Sequence, residues 1–383
     1  MLNYEFPPIG GGAGKAHLHL LKEYARYNNL LKIDVLTSAP QPGFIVESFA
    51  ENITIYKVGL HKKKLHYWRK IEVLEWLFNA RVHYRRLLRE NDYDLVHAFF
   101  GFPTGWLCYR SAALLPYIIS LRGSDVPGYN IRLGLDYKLL SGLFRKIWSA
   151  AAVVVANSNG LRKLALEFMP ALDIKVIPNG IDTEQFHPSE KQDLTKPIKA
   201  LTVCRLISRK RIDLLIKATA LAKKSGLDIQ LNIAGDGNLM GQLQKLADEL
   251  NIGDSVNFMG RVPAEQMPQL YRNNDIFVMS SAHEGMSNAM LEAVASGLPI
   301  ITTRCEGVEE LIKDNGIVVE SPQPEEIAKA IKNLADDRQA YSRMSIAARK
   351  QTEKFSWNSV AEQYLNHYNR IANNIRELNE PKH

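Results

Sequence analysis

Short apolar runs rich in β-branched residues alternate with segments of helical periodicity along most of the chain. Most runs are almost continuously apolar, as strands buried on both faces of a parallel sheet are. Such alternation predicts βαβ units with right-handed crossovers, and therefore an α/β fold. The candidate strands are Lys32–Ser38, Ile53–Val58, Leu95–Phe100, Tyr117–Leu121, Ala152–Ala156 and Lys175–Pro178 in the first half, and Lys199–Arg205, Asp228–Ala234, Ser255–Met259, Asp275–Ser280, Pro299–Thr303 and Gly316–Val319 in the second.

The strand series occurs twice, and a polar stretch separates the two occurrences. Between about Asp182 and Pro197 no apolar period continues, so we interpret this stretch as a linker. The prediction is two Rossmann-like, doubly wound domains, residues 1–182 and 183–356. The tail Trp357–Leu378 has helical spacing and could pack on either domain. Only Met1–Tyr4 precede the first loop, which is short for a first strand; a longer native N-terminus or a misassigned start codon would explain this.

Length and composition fit a globular protein with two cores. The chain has 383 residues, 46% of them hydrophobic and 23% charged. No run reaches the roughly 18 apolar residues of a membrane span, and the first residues do not resemble a signal peptide, so we expect a cytoplasmic protein. The cysteines lie far apart and form no CxxC pair, which argues against a disulfide framework or a structural zinc site; they are Cys108, Cys204 and Cys305.

The positive charge is concentrated in one segment. The formal net charge is +7, and residues 61–90 contain nine Lys or Arg against three Glu. Aromatic and apolar residues interleave with these cations, namely Trp68, Trp76, Leu77, Phe78 and Tyr84. An interfacial helix pair on an anionic membrane would have this pattern, and so would a solvated face above an apolar core stripe. Both interpretations stay open, and the first would place the protein peripherally on the inner face of the cell membrane.

Two glutamates flank a predicted helix start in residues 280–293. A strand ends at Ser280, Glu284 follows in the loop, and a helix starts near Ser287 or Asn288. Free N–H groups at a helix start form an anion site, so a diphosphate would fit there. Glu284 and Glu292 would then reach the two ends of a ligand with polyhydroxyl rings. The alternative is an ordinary βα loop with solvated glutamates.

A basic loop follows the first strand of the second domain. Residues 204–211 include four cations, at the strand end where ligands of such sheets bind. Arg205 and Lys210 could neutralise a leaving diphosphate. A solvated basic loop is the alternative, but the glutamate loop in the same domain favours a ligand site.

Glycines stand between the first strand and a helix that we expect to begin near Lys15. Gly10, Gly11, Gly12 and Gly14 would let the backbone approach a phosphate or sugar closely. A plain tight turn is equally compatible with the pattern.

Together these segments resemble the retaining glycosyltransferases of family four. The Glu-x7-Glu element that ends in Leu-Glu-Ala-x-Ala-x-Gly-Leu-Pro is specific to this and closely related families, and residues 176–182, 233–237 and 256–262 also match. The resemblance covers essentially the whole chain. It implies the GT-B fold, in which two Rossmann-like domains face a central cleft and the C-terminal domain binds the donor. It also implies that the helix 357–378 packs back on the first domain.

The resemblance assigns expected roles to individual residues. It implies that Glu284 contacts the donor sugar, that Glu292 contacts the ribose, and that Arg205 and Lys210 hold the diphosphate. The further residues expected to bind the donor are Gly285, Met286, Ser287, Asn288, Gly235, Arg261 and Gly12. The glycine loop would lie near the acceptor, so Gly10 and Gly11 are expected on the acceptor side.

The resemblance also implies that the reaction needs no metal and no cofactor, because Arg and Lys replace the cation at the leaving group. Asp92-Tyr93-Asp94 matches the Asp-x-Asp metal motif of the other large glycosyltransferase fold. We reject that interpretation because the motif lies between a predicted helix and a strand that begins near Leu95, where a polar turn is expected. It also belongs to the first domain, away from the inferred donor phosphates.

Four further residues were weighed as site candidates. His97 lies late in a strand, so we place it on the acceptor side, although a hydrogen-bonded core histidine is equally compatible. His283 precedes Glu284 and is expected to support the site rather than to react. Many relatives carry His-Gly-x-Asp where this chain has Arg122-Gly123-Ser124-Asp125. Because arginine cannot act as a base, Arg122 would clamp a phosphate or carboxylate, with Asp125 holding it; the alternative is an outward, purely structural pair.

The function expected from these observations is sugar transfer with retention. The resemblance implies a front-face mechanism in which the leaving diphosphate helps to deprotonate the acceptor hydroxyl. The expected partners are a nucleotide-sugar donor, UDP- rather than GDP-linked, and a glycan or lipid-linked acceptor, with no nucleic acid. Alternatives are a nucleotide-sugar epimerase, a phosphorylase or a non-catalytic binding protein. A dehydrogenase is disfavoured because it needs an acidic residue at a set distance after the glycine loop. The only candidate, Asp34, lies inside a predicted strand.

Overall fold

The computed structural model describes residues 1–65, 67–130, 133–189, 194, 196–282, 286–305 and 307–379, the last five by backbone only. The chain divides into two compact units. Unit 1 comprises Met1–Gly180 with Trp357–His383, and unit 2 comprises Ile181–Ser356. The boundary lies within two residues of the division expected from the loss of apolar periodicity, and the C-terminal helix belongs to unit 1.

Unit 1 contains a twisted, mostly parallel sheet. Its strands are β1 (Ile33–Ala39), β2 (Phe44–Ala50), β3 (Ile53–Gly59), β4 (Val96–Phe99), β5 (Tyr117–Leu121), β6 (Val153–Ala156) and β7 (Ile174–Val176). They pair in the orders β1-β3-β2 and β4-β5-β6-β7. Leu2 bridges β1 and β4 in parallel through Leu36 and Ala98, so the short N-terminal segment joins the two groups of strands.

The sequence pattern missed β2. This strand is antiparallel to β3 and largely exposed. An exposed edge strand lacks the continuous apolar run that identifies a buried parallel strand. Each of the other candidate strands corresponds to an observed strand, with ends shifted by at most two residues.

Six helices cover the sheet of unit 1 in the described part of the chain. They are α1 (Gly12–Tyr24), α2 (Lys70–Glu90), α3 (Thr104–Tyr109), α4 (Gly134–Ser149), α5 (Asn159–Phe168) and the C-terminal α13 (Trp357–Asn379). Two sequence predictions need correction here. Helix α1 begins at Gly12, not near Lys15, and the basic segment contains the single long helix α2 rather than a helix pair.

The sheet of unit 2 is entirely parallel. Its strands are β8 (Ile198–Val203), β9 (Ile229–Ala234), β10 (Val256–Gly260), β11 (Ile276–Met279), β12 (Ile300–Thr303) and β13 (Gly316–Val319), in the order β10-β9-β8-β11-β12-β13. The strand order reverses between β8 and β11. In open α/β sheets, ligands bind at the carboxyl ends of the strands beside such a reversal.

Helices flank the sheet of unit 2 and bury its apolar strands. They are α6 (Ile212–Lys224), α7 (Met240–Glu249), α8 (Met267–Arg272), α9 (Asn288–Ala295), α10 (Val308–Leu311), α11 (Pro324–Asp336) and α12 (Arg338–Thr352). Each unit therefore has its own core, centred on side chains such as Trp76 and Trp148 in unit 1 and Phe277 in unit 2. Across the described residues of both units, no helix combines the length and the apolar character that crossing a bilayer demands.

Candidate functional site

The two polar segments singled out in the second half meet at the reversal between β8 and β11. The hydroxyl of Ser280, after β11, donates to the carbonyl oxygens of Lys210 (3.0 Å) and Arg211 (2.7 Å). The N–H of Ala282 donates to the carbonyl oxygen of Arg209 at 2.9 Å. These bonds hold the basic loop against the start of the glutamate loop, at the edge of the sheet where a ligand is expected.

The basic loop has a defined backbone path. It forms a 3-10 turn over Ser208–Lys210, and Arg211 then adopts left-handed torsions (φ 49°, ψ 40°) before α6 begins. The loop after β9 packs against it, because a Cβ on Gly235 would lie only 1.8 Å from the carbonyl oxygen of Cys204. This loop packing explains why a glycine is required at 235, and donor contact by Gly235 stays a prediction.

Several cationic side chains lie at this edge. Arg205 is exposed and has no ion-pair partner in the part of the chain that the structure describes. Lys210 is buried, and Arg209 is half-buried with an Nε atom that lacks a hydrogen-bond partner among the described residues. Arg261 is exposed just after β10. Cations concentrated at the carboxyl ends of strands create a positive potential that attracts an anionic ligand.

Helix α9 begins where the sequence predicts, with Ser287 as its N-cap. The Ser287 hydroxyl accepts a hydrogen bond from the N–H of Met290 at 3.3 Å, and Asn288 is the first helical residue. Met286 and Ser287 are both buried, which fixes the entry of the chain into the helix. Glu284 and Gly285, together with His283, lie outside the described residues.

Glu292 has a partner that the sequence did not indicate. The hydroxyl of the fully buried Tyr271, on α8, lies 2.9 Å from Glu292 Oε2 and 3.1 Å from the carbonyl oxygen of Ala289. Burial, and then the charge of Glu292, keeps the pKa of Tyr271 well above its usual value. The hydroxyl therefore stays protonated, donates to the carboxylate and orients it. A single tyrosine in a short helix gives no sequence signal for such a role.

In unit 1, other residues of the chain accept the hydrogen bonds of the glycine loop. The Gly11 N–H donates to Glu5 Oε2 at 3.2 Å, and the Gly10 N–H donates to the carbonyl oxygen of Leu65 at 2.8 Å. Gly10 has φ +92°, and a Cβ there would lie 2.7 Å from the Cβ of Glu5. Glu5 thus occupies a position at the start of α1 that a ligand anion could take, and Gly12 is the first residue of this helix.

Arg122 does not pair with Asp125 through its guanidinium. Its Nη1 donates to Asn179 Oδ1 at 2.9 Å, and the guanidinium carbon lies 4.6 Å from the centre of the Phe99 ring. The Nε atom is buried and has no hydrogen-bond partner among the described residues. Among the described residues the guanidinium is therefore anchored by Asn179 and Phe99, and not held by the Asp125 carboxylate as expected; its role as a clamp for a phosphate or carboxylate stays a prediction.

Asp125 organises the backbone of its own loop. Its carboxylate accepts from the N–H groups of Arg122 (2.9 Å), Gly123 (3.0 Å) and Gly101 (2.7 Å). Burial raises the pKa of Asp125, and these N–H donors oppose that shift. The buried, fully engaged carboxylate does not support the acceptor-side role that we expected for it.

His97 is a core histidine. Its Nδ1 lies 2.6 Å from the hydroxyl of Tyr368 on α13, and its Nε2 lies 2.7 Å from the hydroxyl of Ser120. Burial, and then the charge of Arg122, lowers the pKa of His97 well below its usual value. Both ring nitrogens are engaged inside unit 1, so the structure corrects the acceptor-side expectation in favour of the core alternative.

The Asp-x-Asp sequence lies in a turn, as the sequence analysis placed it. Asp92 and Asp94 are exposed between α2 and β4. The intervening Tyr93 donates its hydroxyl to Asp34 Oδ2 at 2.5 Å. Within the described ranges, no three His, Cys, Asp or Glu side chains are grouped in a way that could hold a metal ion.

Two family models match adjacent parts of the chain. Residues 10–185 match the model described as Glycosyltransferase Family 4, and residues 183–351 match Glycosyl transferases group 1. The chain is 28% identical over 301 residues to a GDP-mannose-dependent alpha-(1-6)-phosphatidylinositol monomannoside mannosyltransferase of Mycobacterium tuberculosis, covering 73% of this chain and 77% of that protein. It is 26% identical to an uncharacterized glycosyltransferase of Methanocaldococcus jannaschii, covering 96% and 97% of the two chains.

Solved structures share the fold at low sequence identity. A sucrose-phosphate synthase from Thermosynechococcus elongatus superposes with a TM-score of 0.76 at 19% identity, covering 94% of each chain. Anabaena HepE in complex with UDP and glucose gives a TM-score of 0.70 at 19% identity, covering 96% of this chain and 97% of HepE.

Proposed function

The chain belongs to the family-four glycosyltransferases of the GT-B fold, and from that premise we propose that it moves a sugar from a nucleotide-sugar donor to a hydroxyl of a lipid-linked or glycan acceptor with retention of configuration. The donor diphosphate binds in unit 2, at the carboxyl ends of β8 and β11. One observation supports this most strongly: hydrogen bonds from Ser280 and Ala282 join the basic loop to the start of the glutamate loop.

In the proposed complex, Arg205 and Lys210 neutralise the leaving diphosphate. Charge-assisted hydrogen bonds to a phosphate are strong, and they matter most where charge develops in the transition state. The start of α9 directs its N–H groups toward the same anion. Since these groups supply the positive charge, we propose that the reaction needs no divalent metal.

Glu292 holds the ribose of the donor. The Tyr271 hydroxyl, 2.9 Å from Glu292 Oε2, orients the carboxylate, which is proposed to accept a hydrogen bond from a ribose hydroxyl. Glu284, placed in the loop by the family pattern, is proposed to contact the transferred sugar. The leaving diphosphate then takes the proton of the acceptor hydroxyl as the new glycosidic bond forms on the same face.

The comparisons support two donor classes, so both enter the test. The mycobacterial relative is named for GDP-mannose, whereas HepE binds UDP. We favour UDP. For the acceptor, the mycobacterial relative is named for a phosphatidylinositol-based substrate, which supports a lipid-linked acceptor at a membrane surface.

Thermal stabilisation by a panel of nucleotide sugars tests the donor proposal. A donor at 100 times its Kd raises the free energy of unfolding by about 2.7 kcal/mol, so the matching nucleotide sugar should raise the Tm clearly. We expect stabilisation by one UDP- or GDP-sugar, reduced in Lys210→Ala and retained in Lys224→Ala, which removes an exposed charge from the end of α6. No stabilisation by any nucleotide sugar or nucleoside diphosphate would contradict the proposal. Conversion of the donor without an acceptor would indicate an epimerase instead.

A further inference from the structure

A cationic pocket lies beside the N-terminal end of α2. It has a volume of about 440 Å³ and is lined by Lys63, Lys64, Tyr67, Arg69 and Glu72. The ammonium groups of Lys63 and Lys64 have no ion-pair or hydrogen-bond partner among the described residues, and both side chains are exposed. Three cationic residues thus line the pocket, and two of them have no charged partner among the described residues.

Glu72 shapes this pocket without neutralising it. The buried carboxylate accepts from Lys62 Nζ (2.7 Å), Arg69 Nε (2.9 Å), and the backbone N–H groups of Arg69 (3.0 Å) and Lys63 (3.3 Å). Burial alone would raise the pKa of Glu72, but these donors outweigh it and lower the pKa to about 2. The single negative charge is thus balanced by the buried Lys62, and the pocket stays positive.

An exposed apolar stripe runs along α2 from the pocket. Ile71, Leu74, Phe78 and Val82 recur at spacings of three and four residues, so they share one helix face, and all four are exposed. Arg85 and Arg89 continue the same face toward the end of the helix. Water-exposed apolar side chains in a continuous row mark an interaction surface.

A second helix exposes apolar side chains near the start of α2. Lys70 Nζ lies 2.7 Å from Asp136 Oδ2, which brings the start of α4 to the start of α2. Helix α4 exposes Leu135 (77%) and Leu139 (83%) beside the cations Lys138, Arg145 and Lys146. We call the exposed residues of α2 and α4 named here the α2–α4 face. Apolar side chains rimmed by Lys and Arg complement an anionic bilayer, which offers hydrocarbon below and phosphate at its surface.

The pocket also adjoins the glycine loop. The carbonyl oxygen of Leu65, between Lys64 and Tyr67, accepts the N–H of Gly10 at 2.8 Å. The resemblance of the chain to its family places that loop near the acceptor. The pocket therefore lies between the loop expected at the acceptor and the α2–α4 face.

We propose that the acceptor is a phosphate-bearing membrane lipid whose phosphate binds in the pocket of Lys63, Lys64 and Arg69 while the α2–α4 face lies in the surface of the bilayer. This inference rests on the proposed function for its acceptor role. Lysines bind phosphate as point charges, and Arg69 adds directed donors. The lipid tails remain in the bilayer, where Phe78 and the leucines of α4 enter the headgroup region.

Co-sedimentation with vesicles tests the proposal. The probes are vesicles of phosphatidylcholine alone and of phosphatidylcholine mixed with phosphatidylglycerol. We expect wild-type protein to partition onto the mixed vesicles, and Lys63→Ala/Lys64→Ala to lose about 30-fold in partition, at roughly 1 kcal/mol per lysine. Phe78→Ser should lose about tenfold or more through reduced apolar burial. Lys63→Arg/Lys64→Arg should bind like wild type.

A matched control separates pocket binding from diffuse attraction. Lys22 and Lys32 are exposed in the same unit and away from the pocket, so Lys22→Ala/Lys32→Ala removes the same charge and should lose less than about threefold. Equal losses in the two double variants would overturn the pocket. Equal partition of wild type onto both kinds of vesicle would overturn the anionic lipid. Binding of soluble glycerol 3-phosphate as tight as binding to vesicles would overturn the membrane source.

Donor binding distinguishes failure of this inference from failure of the proposed function. Lys63→Ala/Lys64→Ala should be stabilised by the donor to the same extent as wild type, since unit 2 is untouched. Absence of vesicle binding in a protein that the donor stabilises would overturn the lipid inference alone. A dimer without lipid that Phe78→Ser dissociates would assign the α2–α4 face to a second copy of the chain and overturn the membrane contact.

Discussion

The two units differ in how the polar residues at the carboxyl ends of their strands are hydrogen-bonded. In unit 2, Arg205 is exposed without an ion-pair partner among the described residues, while Ser280 and Ala282 hold the basic loop in place through its backbone. In unit 1, His97 and Asp125 have their polar atoms engaged by neighbouring groups. Polar residues at the strand ends thus lie on a charged edge in one unit and in a packed interior in the other.

The comparison shows that a polar residue at a strand end becomes a site candidate only when its partners are known. In unit 2, the basic loop is held through its backbone carbonyl groups, and its exposed Arg205 side chain has no ion-pair partner among the described residues. In unit 1, the same kinds of polar side chains are engaged in hydrogen bonds within the fold. Substitutions in unit 2 should therefore change catalysis, and substitutions in unit 1 should mainly change stability.

The largest expected effect is on turnover. Lys210→Ala should lower kcat by roughly 10²–10³, because one lost contact to a developing charge costs about that much. Steady-state kinetics with the donor found in the stabilisation panel measures the effect. Lys224→Ala serves as the matched control and should keep its kcat. A kcat for Lys210→Ala within about threefold of wild type would remove Lys210 from the site.

Arg122 is the exception within unit 1, and its substitution sharpens the comparison. Its Nε atom is buried and has no hydrogen-bond partner among the described residues, while Nη1 is bonded to Asn179, so the guanidinium keeps a donor for a ligand. We expect Arg122→Ala to lose most activity, about tenfold or more, with little loss of stability, and Arg122→His to keep measurable activity. Full activity in Arg122→Ala would show that the whole strand edge of unit 1 is structural.

His97 should affect stability and its pH dependence instead of turnover. Its pKa lies well below the ordinary 6.5 in the folded protein, so below pH 6.5 the unfolded chain binds more protons and stability falls. Each such histidine should contribute a loss of up to about 1.4 kcal/mol per pH unit below 6.5. Thermal unfolding between pH 7.5 and 5.5 should therefore show a shallower decline for His97→Asn than for wild type, from a lower starting Tm.

The control for this prediction is activity. At pH 7.5, His97→Asn should keep its kcat within about twofold wherever it is folded. A loss comparable to that of Lys210→Ala would return His97 to the acceptor side.

The smallest expected effect concerns metal. Excess EDTA should leave activity unchanged, because Arg205 and Lys210 supply the positive charge at the leaving group. Activity is measured before and after chelation, with Mn²⁺ and Mg²⁺ added back. Abolition by EDTA with rescue by Mn²⁺ would revive a metal role for Asp92 and Asp94.

The sequence alone predicted the strands and the helix start that apolar periodicity and residue spacing determine. The parallel strands Tyr117–Leu121 and Gly316–Val319 agree to the residue, because a continuous apolar run between turns has few other solutions. The start of α9 was predicted equally well, since Ser287 is a typical N-cap.

The sequence alone could not predict which distant side chains contact one another. Nothing local indicates that Tyr271 holds Glu292, that Asn179 anchors Arg122, or that α13 reaches His97 across 271 positions. The exposed strand β2 was missed for a related reason, since its pattern depends on solvent at one face rather than on burial at both.

Hydrogen exchange with and without the donor tests the central claim, that the donor binds at the edge of unit 2, most directly. Backbone N–H groups in the basic loop and at the start of α9 would be covered by the diphosphate and the ribose. We predict that the donor slows exchange in peptides spanning residues 204–211 and 286–296 and leaves residues 10–24 of unit 1 unchanged. Protection confined to residues 10–24, with none in either segment of unit 2, would contradict the assignment of the donor to unit 2.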